Sequence, residues 1–295
     1  MKILILGRDG QVGTALTSIL APLGEIFAFG RAGADFSRPD DVALLVQRER
    51  PDVIVNAAAY TNVDKAESEA ELATLVNATS PGRIADAAAQ IGARLIHIST
   101  DYVFDGENPV PYLEDDPTLP INVYGRSKLE GEQAITATAA DHLILRTSWV
   151  HSASHSNFVG KILEAAAQRD ELKVIDDQSG CPTSARLLAD TIGHIIAMGD
   201  AGRPLPGGIY HLAADGETTR YEYARFIIEE ARRRGAKLKV ERILPVPSST
   251  FPTPAPRPKN SHLSTHKLRT ALGYDLPGWR DDVTPTIAGL VGAAS

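Results

Sequence analysis

Short apolar runs separated by helical stretches organise the first half of the chain. The predicted strands are Lys2–Leu6, Glu25–Phe29, Asp52–Asn56, Arg94–Ser99 and Leu143–Thr147. Continuous apolar runs are typical of strands that are buried on both faces of a parallel sheet. Five such strands alternating with helices predict an α/β fold with a Rossmann-type doubly wound parallel sheet.

A glycine-rich turn directly follows the first strand. Gly7, Gly10 and Gly13 are spaced three apart, and a helical stretch continues to Leu20. A strand, a glycine turn and a helix are the context that a dinucleotide-binding fingerprint requires. Gly7 allows the tight turn, Gly10 lets the backbone approach a pyrophosphate, and Gly13 lets the helix pack on the strand. The alternative is a glycine-rich turn that binds no ligand.

The second half of the chain has weaker alternation and longer loops, which predicts a boundary near residue 150. We expect residues 1–150 to form an NAD(P)-binding Rossmann domain and residues 151–295 to form mainly a smaller α/β substrate lobe. Segments at about 185–212 are expected to return and pack on the first domain. They contain a helix from about Ala185 to Met198 and a short strand, Gly208–Leu212.

Residues after the second strand bear on the choice of cofactor. An NAD site usually has an acidic residue here, whereas this chain has Gly30 and Arg31. Arg31 can pair with a 2′-phosphate, which favours NADPH, with NADH still possible. Asp35 can reach the adenine amino group, and Phe36 can flank the adenine ring. The alternatives are a solvated loop arginine, a loop aspartate and a core phenylalanine.

Tyr124 and Lys128 lie four residues apart near the start of a predicted helix, so their side chains share one face. A nearby positive charge favours the phenolate and lowers the pKa of a tyrosine, which can then exchange a proton with a carbonyl or alcohol oxygen. Thr100, at the end of the fourth strand, can hydrogen-bond to the same oxygen. A chance helical spacing and a Ser/Thr pair that caps a turn are the alternatives.

Composition excludes several other classes of protein. Thirty basic and 37 acidic side chains give a formal charge of −7, which disfavours a nucleic-acid binder. Cys181 is the one cysteine, as expected in a reducing cytoplasm. The N-terminal apolar run is too short for a signal peptide, and no run of 18 apolar residues occurs, so we expect a cytoplasmic protein without membrane contact. The sequence has no nucleophile elbow or P-loop.

Longer strings carry a family resemblance. They are GRDGQVG (7–13), VNAAAYTNVDKAE (55–67), ISTDYVFDG (98–106), NVYGRSKLEGE (122–132), RTSWV (146–150), DDQSGCPT (176–183), GIYHLAADGETT (208–219) and RPKNSHLST (257–265). In this order, over nearly the whole chain, they resemble the dTDP-4-dehydrorhamnose reductase family of the extended short-chain dehydrogenase/reductase superfamily.

The resemblance implies reduction of the 4-keto group of dTDP-4-dehydro-β-L-rhamnose with NAD(P)H. It makes Tyr124 the proton donor, Lys128 the residue that holds the nicotinamide ribose and lowers the pKa of Tyr124, and Thr100 a hydrogen-bond donor to the carbonyl. The implied cofactor contacts beyond the glycines are Gln11, Val12, Ala59, Tyr60 and Thr61. The implied substrate contacts are Thr100, Asp101, Tyr102 and Trp149, with Asn157 and Arg257 expected at the diphosphate.

Two departures from the family pattern affect the predicted cofactor, metal content and oligomeric state. Arg31 stands where many relatives have an aspartate, which puts a preference for NADH in doubt. Some members are metal-bridged dimers held by glutamates, but the corresponding positions here are Ala15 and Arg186. We therefore predict no metal, and either a monomer or a homodimer.

Two other functions remain open at this point. One is a reductase of another dTDP-4-keto-deoxysugar. The other is a non-catalytic NADP-binding regulatory subunit, because the same fold serves as a partner of a methionine adenosyltransferase.

Overall fold

Parallel strands flanked by helices make up most of the protein, for which the computed structural model describes residues 1–293. The strands are β1 (Lys2–Leu6), β2 (Glu25–Phe29), β3 (Val53–Asn56), β4 (Arg94–Thr100), β5 (His142–Thr147), β6 (Val150–His151), β7 (Glu171–Ile175), β8 (Ser179–Gly180), β9 (Thr183–Ser184), β10 (Gly208–His211), β11 (Thr218–Thr219), β12 (Arg242–Val246) and β13 (Asn260–Ser261). The helices are α1 (Gln11–Ile19), α2 (Pro39–Glu49), α3 (Val63–Ala66), α4 (Ala70–Thr74), α5 (Ser80–Ile91), α6 (Val123–Thr136), α7 (Phe158–Gln168), α8 (Ala185–Asp200), α9 (Arg220–Arg233), α10 (His266–Leu272) and α11 (Trp279–Ala293).

The main sheet has six strands in the order β2-β1-β3-β4-β5-β10, and all of its neighbours are parallel. Side chains of β1 alternate between the two faces. Ile3 and Ile5 belong to one core cluster, and Leu4 and Leu6 belong to another on the opposite face. Helices cover both faces, so the predicted doubly wound sheet is confirmed.

The strand order predicts where a ligand would bind on this sheet. From β1 the chain moves to β2 on one side and then returns to β3 on the other side of β1. In open α/β sheets, ligands bind beyond the carboxyl ends of the strands where the order reverses in this way. The glycine turn after β1 and the residues that follow β3, β4 and β5 all lie at this edge.

The sixth strand comes from the second half of the chain. β10 pairs in parallel with β5, and α8 packs on α1 where Gly193 faces Leu20 and Ile19. Periodicity marked β10 as a short strand but did not place it in the main sheet. The division near residue 150 stays a prediction.

Smaller strand pairs build the rest of the second half. β7 pairs with β12, β8 lies between β11 and β13, and β6 pairs with β9. Among residues 1–293, none of the helices has the length and the hydropathy that crossing a bilayer would require.

Candidate active site

The glycine turn lies very close to the neighbouring backbone. Gly7 has a φ of +89°, and a Cβ there would lie 2.6 Å from the amide nitrogen of Ala58. A Cβ on Gly13 would lie 2.0 Å from the carbonyl oxygen of Gly7. Gly10, the N-cap of α1, makes no side-chain cap hydrogen bond, so no side chain occupies that end of the helix from the cap position. The turn therefore fits a pyrophosphate bound by backbone amides at a helix N-terminus.

Gln11 joins the first turn of α1 to the second half of the chain. Its Oε1 accepts hydrogen bonds from Ser152 Oγ and Asn157 Nδ2, each 3.0 Å away. Asn157 also caps α7, where its Oδ1 accepts from the amide nitrogens of Val159 and Gly160. The amide of Asn157, expected at the substrate diphosphate, is thus fully used in holding this junction. Val12 packs at the border of the core beside Gln11.

Residues 59–61 follow β3 and are held from the helix side. Asn77, in a π-helical turn at Leu75–Thr79, accepts from the amide nitrogen of Tyr60 at 2.8 Å and donates to its carbonyl oxygen at 3.1 Å. The phenol of Tyr60 donates to Glu69 at 2.7 Å. Ala59 is half-buried and Thr61 is exposed at the cleft edge. This segment has the fixed backbone that a cofactor contact needs.

The segment between β2 and α2 has two exposed arginines, and Arg38 pairs with Asp41. Arg31 is exposed, and none of the carboxylates in residues 1–293 lies within ion-pair distance of it. Asp35 accepts from the amide and hydroxyl of Ser37, which lower the pKa of its carboxyl. Phe36 is 5% exposed and belongs to the core.

Helix α6 presents three functional side chains in one stripe. Tyr124, Lys128 and Glu132 are each four residues apart and therefore share a face. Asn122 caps the helix by accepting from the amide nitrogen of Gly125 at 2.8 Å. A Cβ on Gly125 would lie 2.1 Å from the carbonyl oxygen of Tyr102, so the glycine lets the start of α6 reach the end of β4.

Lys128 is almost completely buried, with 1% of its surface exposed. Its Nζ lies 2.7 Å from the carbonyl oxygen of Ile98 and 3.0 Å from Nε2 of His97. Burial lowers the pKa of Lys128 to about 8, although Glu132 acts to raise it.

Tyr124 lies where β4 and α6 meet. Its ring packs edge-on against Tyr102, with 5.5 Å between the centroids. Burial raises the pKa of Tyr124, Asp101 and Tyr102 raise it further, and the Thr100 hydroxyl acts to lower it. From the sequence, Lys128 is expected to lower this pKa. That expectation is wrong for the protein by itself, because burial dominates and the amine of Lys128 binds His97 and Ile98 instead.

Thr100 and Asp101 are at the carboxyl end of β4, beside Tyr124. The hydroxyl of Thr100 donates to Asp101 Oδ1 at 3.0 Å and accepts from the amide nitrogen of Tyr102 at 3.2 Å. Burial raises the pKa of Asp101 to about 6, whereas the hydroxyls of Ser261 and Thr100 and the charge of Arg220 act to lower it. The structure thus brings the expected threonine and tyrosine together.

Trp149 has a left-handed backbone, with a φ of +45°, which is costly for a residue other than glycine. The guanidinium of Arg220, the first residue of α9, stacks on its ring at 3.5 Å from the centroid. Among the described residues, none of the carboxylates forms an ion pair with Arg220. Burial lowers the pKa of Arg220, and Asp101 and Tyr102 act to raise it. A cation on an indole at this cleft suits a phosphate group.

Arg257, which is expected at the diphosphate from the sequence, is already paired. Its guanidinium donates to Asp64 Oδ2 and to the carbonyl oxygen of Ala255, each at 2.9 Å. Both Arg257 and Arg220 influence the pKa of the Tyr102 phenol, so both lie near the carboxyl end of β4.

Two residues at this site are not indicated by any pattern in the sequence. Arg220 stands within a predicted helix and was not distinguished from the solvated arginines further along it. His97 lies inside a strand, and only its position three residues before Thr100 could have drawn attention to it. Residues 1–293 contain no cluster of three or more His, Cys, Asp or Glu side chains that could hold a metal ion; the absence of a metal stays a prediction.

Comparisons with known proteins give the family. The family model described as the RmlD substrate binding domain matches residues 1–291. The dTDP-4-dehydrorhamnose reductase of Escherichia coli K12 is 50% identical over 284 residues, which cover 95% of each chain. The enzyme of the same name from Salmonella typhimurium is 48% identical over 283 residues, 95% of this chain and 94% of the relative.

A solved structure agrees over the same length. The crystal structure of dTDP-4-dehydrorhamnose reductase from Bacillus anthracis in complex with NADP superposes with a TM-score of 0.89 at 35% identity, covering 97% of this chain and 98% of that one. The match to the family model, the sequence identity and the shared fold all extend over nearly the whole chain. This chain therefore belongs to the RmlD substrate binding domain family, the family of the dTDP-4-dehydrorhamnose reductases.

Proposed function

We propose that this protein reduces the 4-keto group of dTDP-4-dehydro-β-L-rhamnose to dTDP-β-L-rhamnose, with NADPH as the cofactor. The observation that carries the proposal is the meeting of Thr100 and Tyr124 beside Lys128, at the sheet edge where the glycine turn opens. Relatives that are 48–50% identical over 95% of the chain are named dTDP-4-dehydrorhamnose reductase.

Each residue has a role that its surroundings support. Bound NADPH supplies the hydride. Tyr124 donates a proton to the C4 oxygen, and its raised pKa keeps that proton in place until the oxygen gains charge. The hydroxyl of Thr100 hydrogen-bonds to the same oxygen as that charge develops. Lys128 is fixed by the carbonyl oxygen of Ile98, and it is the candidate to hold the nicotinamide ribose.

Several groups support binding of the rest of the two ligands. The turn at Gly7, Gly10 and Gly13 suits the pyrophosphate of the cofactor, and Arg31 suits a 2′-phosphate because it is exposed and has no carboxylate partner among the described residues. The indole of Trp149 suits the sugar or the base, and we assign the substrate diphosphate to Arg220 in preference to the paired Arg257. Asp101 and Tyr102 line the same end of the cleft. A cytoplasmic location and a monomeric or homodimeric state stay predictions.

One assay tests the proposal directly. NADPH and NADH oxidation is followed with dTDP-4-dehydrorhamnose made in situ, and the product is identified by mass and by its C4 configuration. We expect oxidation that depends on the sugar nucleotide. Absence of oxidation by well-folded protein that still binds NADPH would favour the regulatory subunit, and turnover of only another dTDP-4-keto-deoxysugar would favour the second reductase.

One substitution tests the preference for NADPH over NADH. Arg31→Ala should weaken NADPH binding several-fold and leave NADH binding nearly unchanged, because only NADPH carries the 2′-phosphate. Fluorescence titration of both cofactors measures this. Arg48→Ala, an exposed arginine at the far end of α2, is the control. Equal effects of Arg31→Ala on the two cofactors would remove Arg31 from the phosphate site.

A further inference from the structure

One carboxylate of the glycine turn lies against the end of β2. A Cβ on Gly30 would lie 1.6 Å from Oδ2 and 2.9 Å from Oδ1 of Asp9, so a side chain at position 30 would collide with that carboxylate. The backbone of Gly30 is outside the left-handed region, and a left-handed turn is therefore not the reason for a glycine here. Gly30 instead provides the space that the carboxylate of Asp9 occupies.

Position 30 is where a dinucleotide site usually has an acidic residue. It directly follows β2 and comes 20 residues after Gly10 of the glycine turn. An aspartate or glutamate about 20 residues beyond the fingerprint binds the 2′-hydroxyl of the adenosine ribose in NAD-dependent proteins. This chain has no acidic residue at position 30, but Asp9 brings a carboxylate to the same point from the neighbouring turn.

Several hydrogen bonds fix the turn in this position. The amide nitrogen of Arg8 donates to the carbonyl oxygen of Phe29 at 3.2 Å, and Nη1 of Arg8 donates to that of Ala28 at 3.3 Å. Nε2 of His155 lies 2.9 Å from the carbonyl oxygen of Asp9. The turn is thus bound to β2 on one side and to the loop before α7 on the other, so the backbone that carries the Asp9 carboxylate is held in place.

One oxygen of this carboxylate is open to a ligand. Oδ1 accepts from Nε of Arg8 at 3.2 Å, whereas Oδ2, the oxygen nearest to Gly30, receives no hydrogen bond from residues 1–293. The side chain of Asp9 is 67% exposed, so a hydroxyl group can reach it. A carboxylate oxygen accepts a hydrogen bond from a hydroxyl. A 2′-phosphate carries a charge of about −1.5 to −2, so the same carboxylate repels it.

We propose that Asp9 determines cofactor specificity in place of the acidic residue that is missing after β2. Its Oδ2 accepts a hydrogen bond from the ribose 2′-hydroxyl of NADH, and its charge opposes the 2′-phosphate of NADPH. Arg31, which follows Gly30 in the chain, acts in the opposite direction, and the two residues together set the balance between the cofactors. The inference rests on the proposed function for the reaction that the cofactor serves, but not for cofactor binding itself.

Asp9→Ala tests the assignment by cofactor binding alone. Fluorescence titrations with NADPH and with NADH, in the absence of a sugar nucleotide, give the two dissociation constants. We expect NADH to bind more weakly and NADPH to bind more tightly. The ratio of the Kd for NADH to the Kd for NADPH should rise by about tenfold, the order expected for a hydrogen bond to a charged group. Asp86→Ala removes the same charge from an exposed position on α5 and should leave the ratio unchanged.

Two results of the Asp9→Ala titrations would overturn the proposal. Equal changes in the two dissociation constants would show that the carboxylate does not act at the 2′ position of the ribose. Weaker binding of NADPH alone would show that Asp9 only holds the guanidinium of Arg8 in place for the phosphate.

A second variant returns the carboxylate to the end of β2. In the double variant with Asp9→Ala and Gly30→Asp, the space vacated at position 9 accommodates the new side chain at position 30. We expect NADH affinity to recover towards that of the parent protein. A double variant that has a parent-like urea midpoint and binds NADH no better than Asp9→Ala would contradict the assignment.

Turnover separates this inference from the proposed function. If the parent protein binds both cofactors but oxidises neither with dTDP-4-dehydrorhamnose, the proposed reaction fails and the titrations still test Asp9. If the parent protein is an active reductase and Asp9→Ala leaves the ratio of kcat/KM for NADH and NADPH unmoved, the role of Asp9 fails and the reaction stands.

Discussion

Side chains of one helix stripe illustrate how position decides chemistry at the scale of single residues. Tyr124 and Lys128 are four residues apart in the sequence, and that spacing suggested a charge that lowers the pKa of the phenol. The structure places the amine against His97 and Ile98, and burial raises the pKa of the phenol instead. The spacing was therefore sufficient to predict the pair, but the direction of the pKa depended on partners from another strand.

Replacing Tyr124 by phenylalanine removes the proposed acid. We expect kcat for sugar-nucleotide reduction to fall by about a hundredfold or more, because a positioned general acid contributes on that order. NADPH affinity, followed by fluorescence titration, should change little. Near-normal turnover by Tyr124→Phe would show that another group donates the proton.

A second substitution tests whether Arg220 binds the substrate diphosphate. Arg220→Gln should raise the KM for the dTDP-sugar by about tenfold or more, because a charge-assisted hydrogen bond is worth on the order of 1.5–3 kcal/mol. NADPH affinity should be retained. Arg225→Gln, on an exposed turn of the same helix, is the matched control. A KM that stays unchanged in Arg220→Gln would remove the guanidinium from the diphosphate site.

At the scale of elements, α6 connects the cleft to the interior of the sheet. Its third stripe residue, Glu132, pairs with Arg146 of β5 and accepts from Ser99 Oγ at 2.5 Å. Both charged side chains are about 2% exposed. This pair holds the C-terminal part of the helix against β4 and β5, and the string NVYGRSKLEGE did not reveal it because the arginine lies outside the string, on the strand that follows the helix.

The buried pair leads to a stability prediction. Glu132→Gln should lower the free energy of unfolding by about 3–5 kcal/mol, since it leaves Arg146 as an uncompensated buried charge. Urea denaturation measures the loss. Glu229→Gln removes an exposed partner of Arg225 and should cost about 1 kcal/mol or less. Similar losses in the two variants would mean that Arg146 finds another partner.

For the whole molecule, buried histidines link stability to pH. Burial lowers the pKa of His151 and His211 to about 3 and that of His97 well below 6.5. In the unfolded chain all three take up protons below about pH 6.5, so stability is present above that pH and is lost as the pH falls. Asp101 acts oppositely, because its pKa is raised to about 6 and its folded form holds the proton longer.

Burial also raises the pKa of Asp282, but the three histidines outnumber the two aspartates, so a net loss is expected in acid. The free energy of unfolding should fall by on the order of 1 kcal/mol per pH unit between about pH 6 and 4. Urea midpoints at a series of pH values measure it. His211→Asn should flatten the slope, whereas His194→Asn, at an exposed position on α8, should not. A slope that His211→Asn leaves unaltered would remove that residue from the linkage.

The sequence by itself determined the order of strands and helices, the glycine turn and the spacing of Tyr124 and Lys128, because these are local patterns with a fixed period. It also determined the family, through strings spread over the whole chain. Only the tertiary structure decided that β10 completes the sheet, that Arg220 lies on Trp149, that His97 reaches Lys128, and that the carboxylate of Asp9 lies against Gly30. His97 precedes Lys128 by 31 residues and Asp9 precedes Gly30 by 21. Contacts over such separations depend on which strands become neighbours, and no local pattern encodes that.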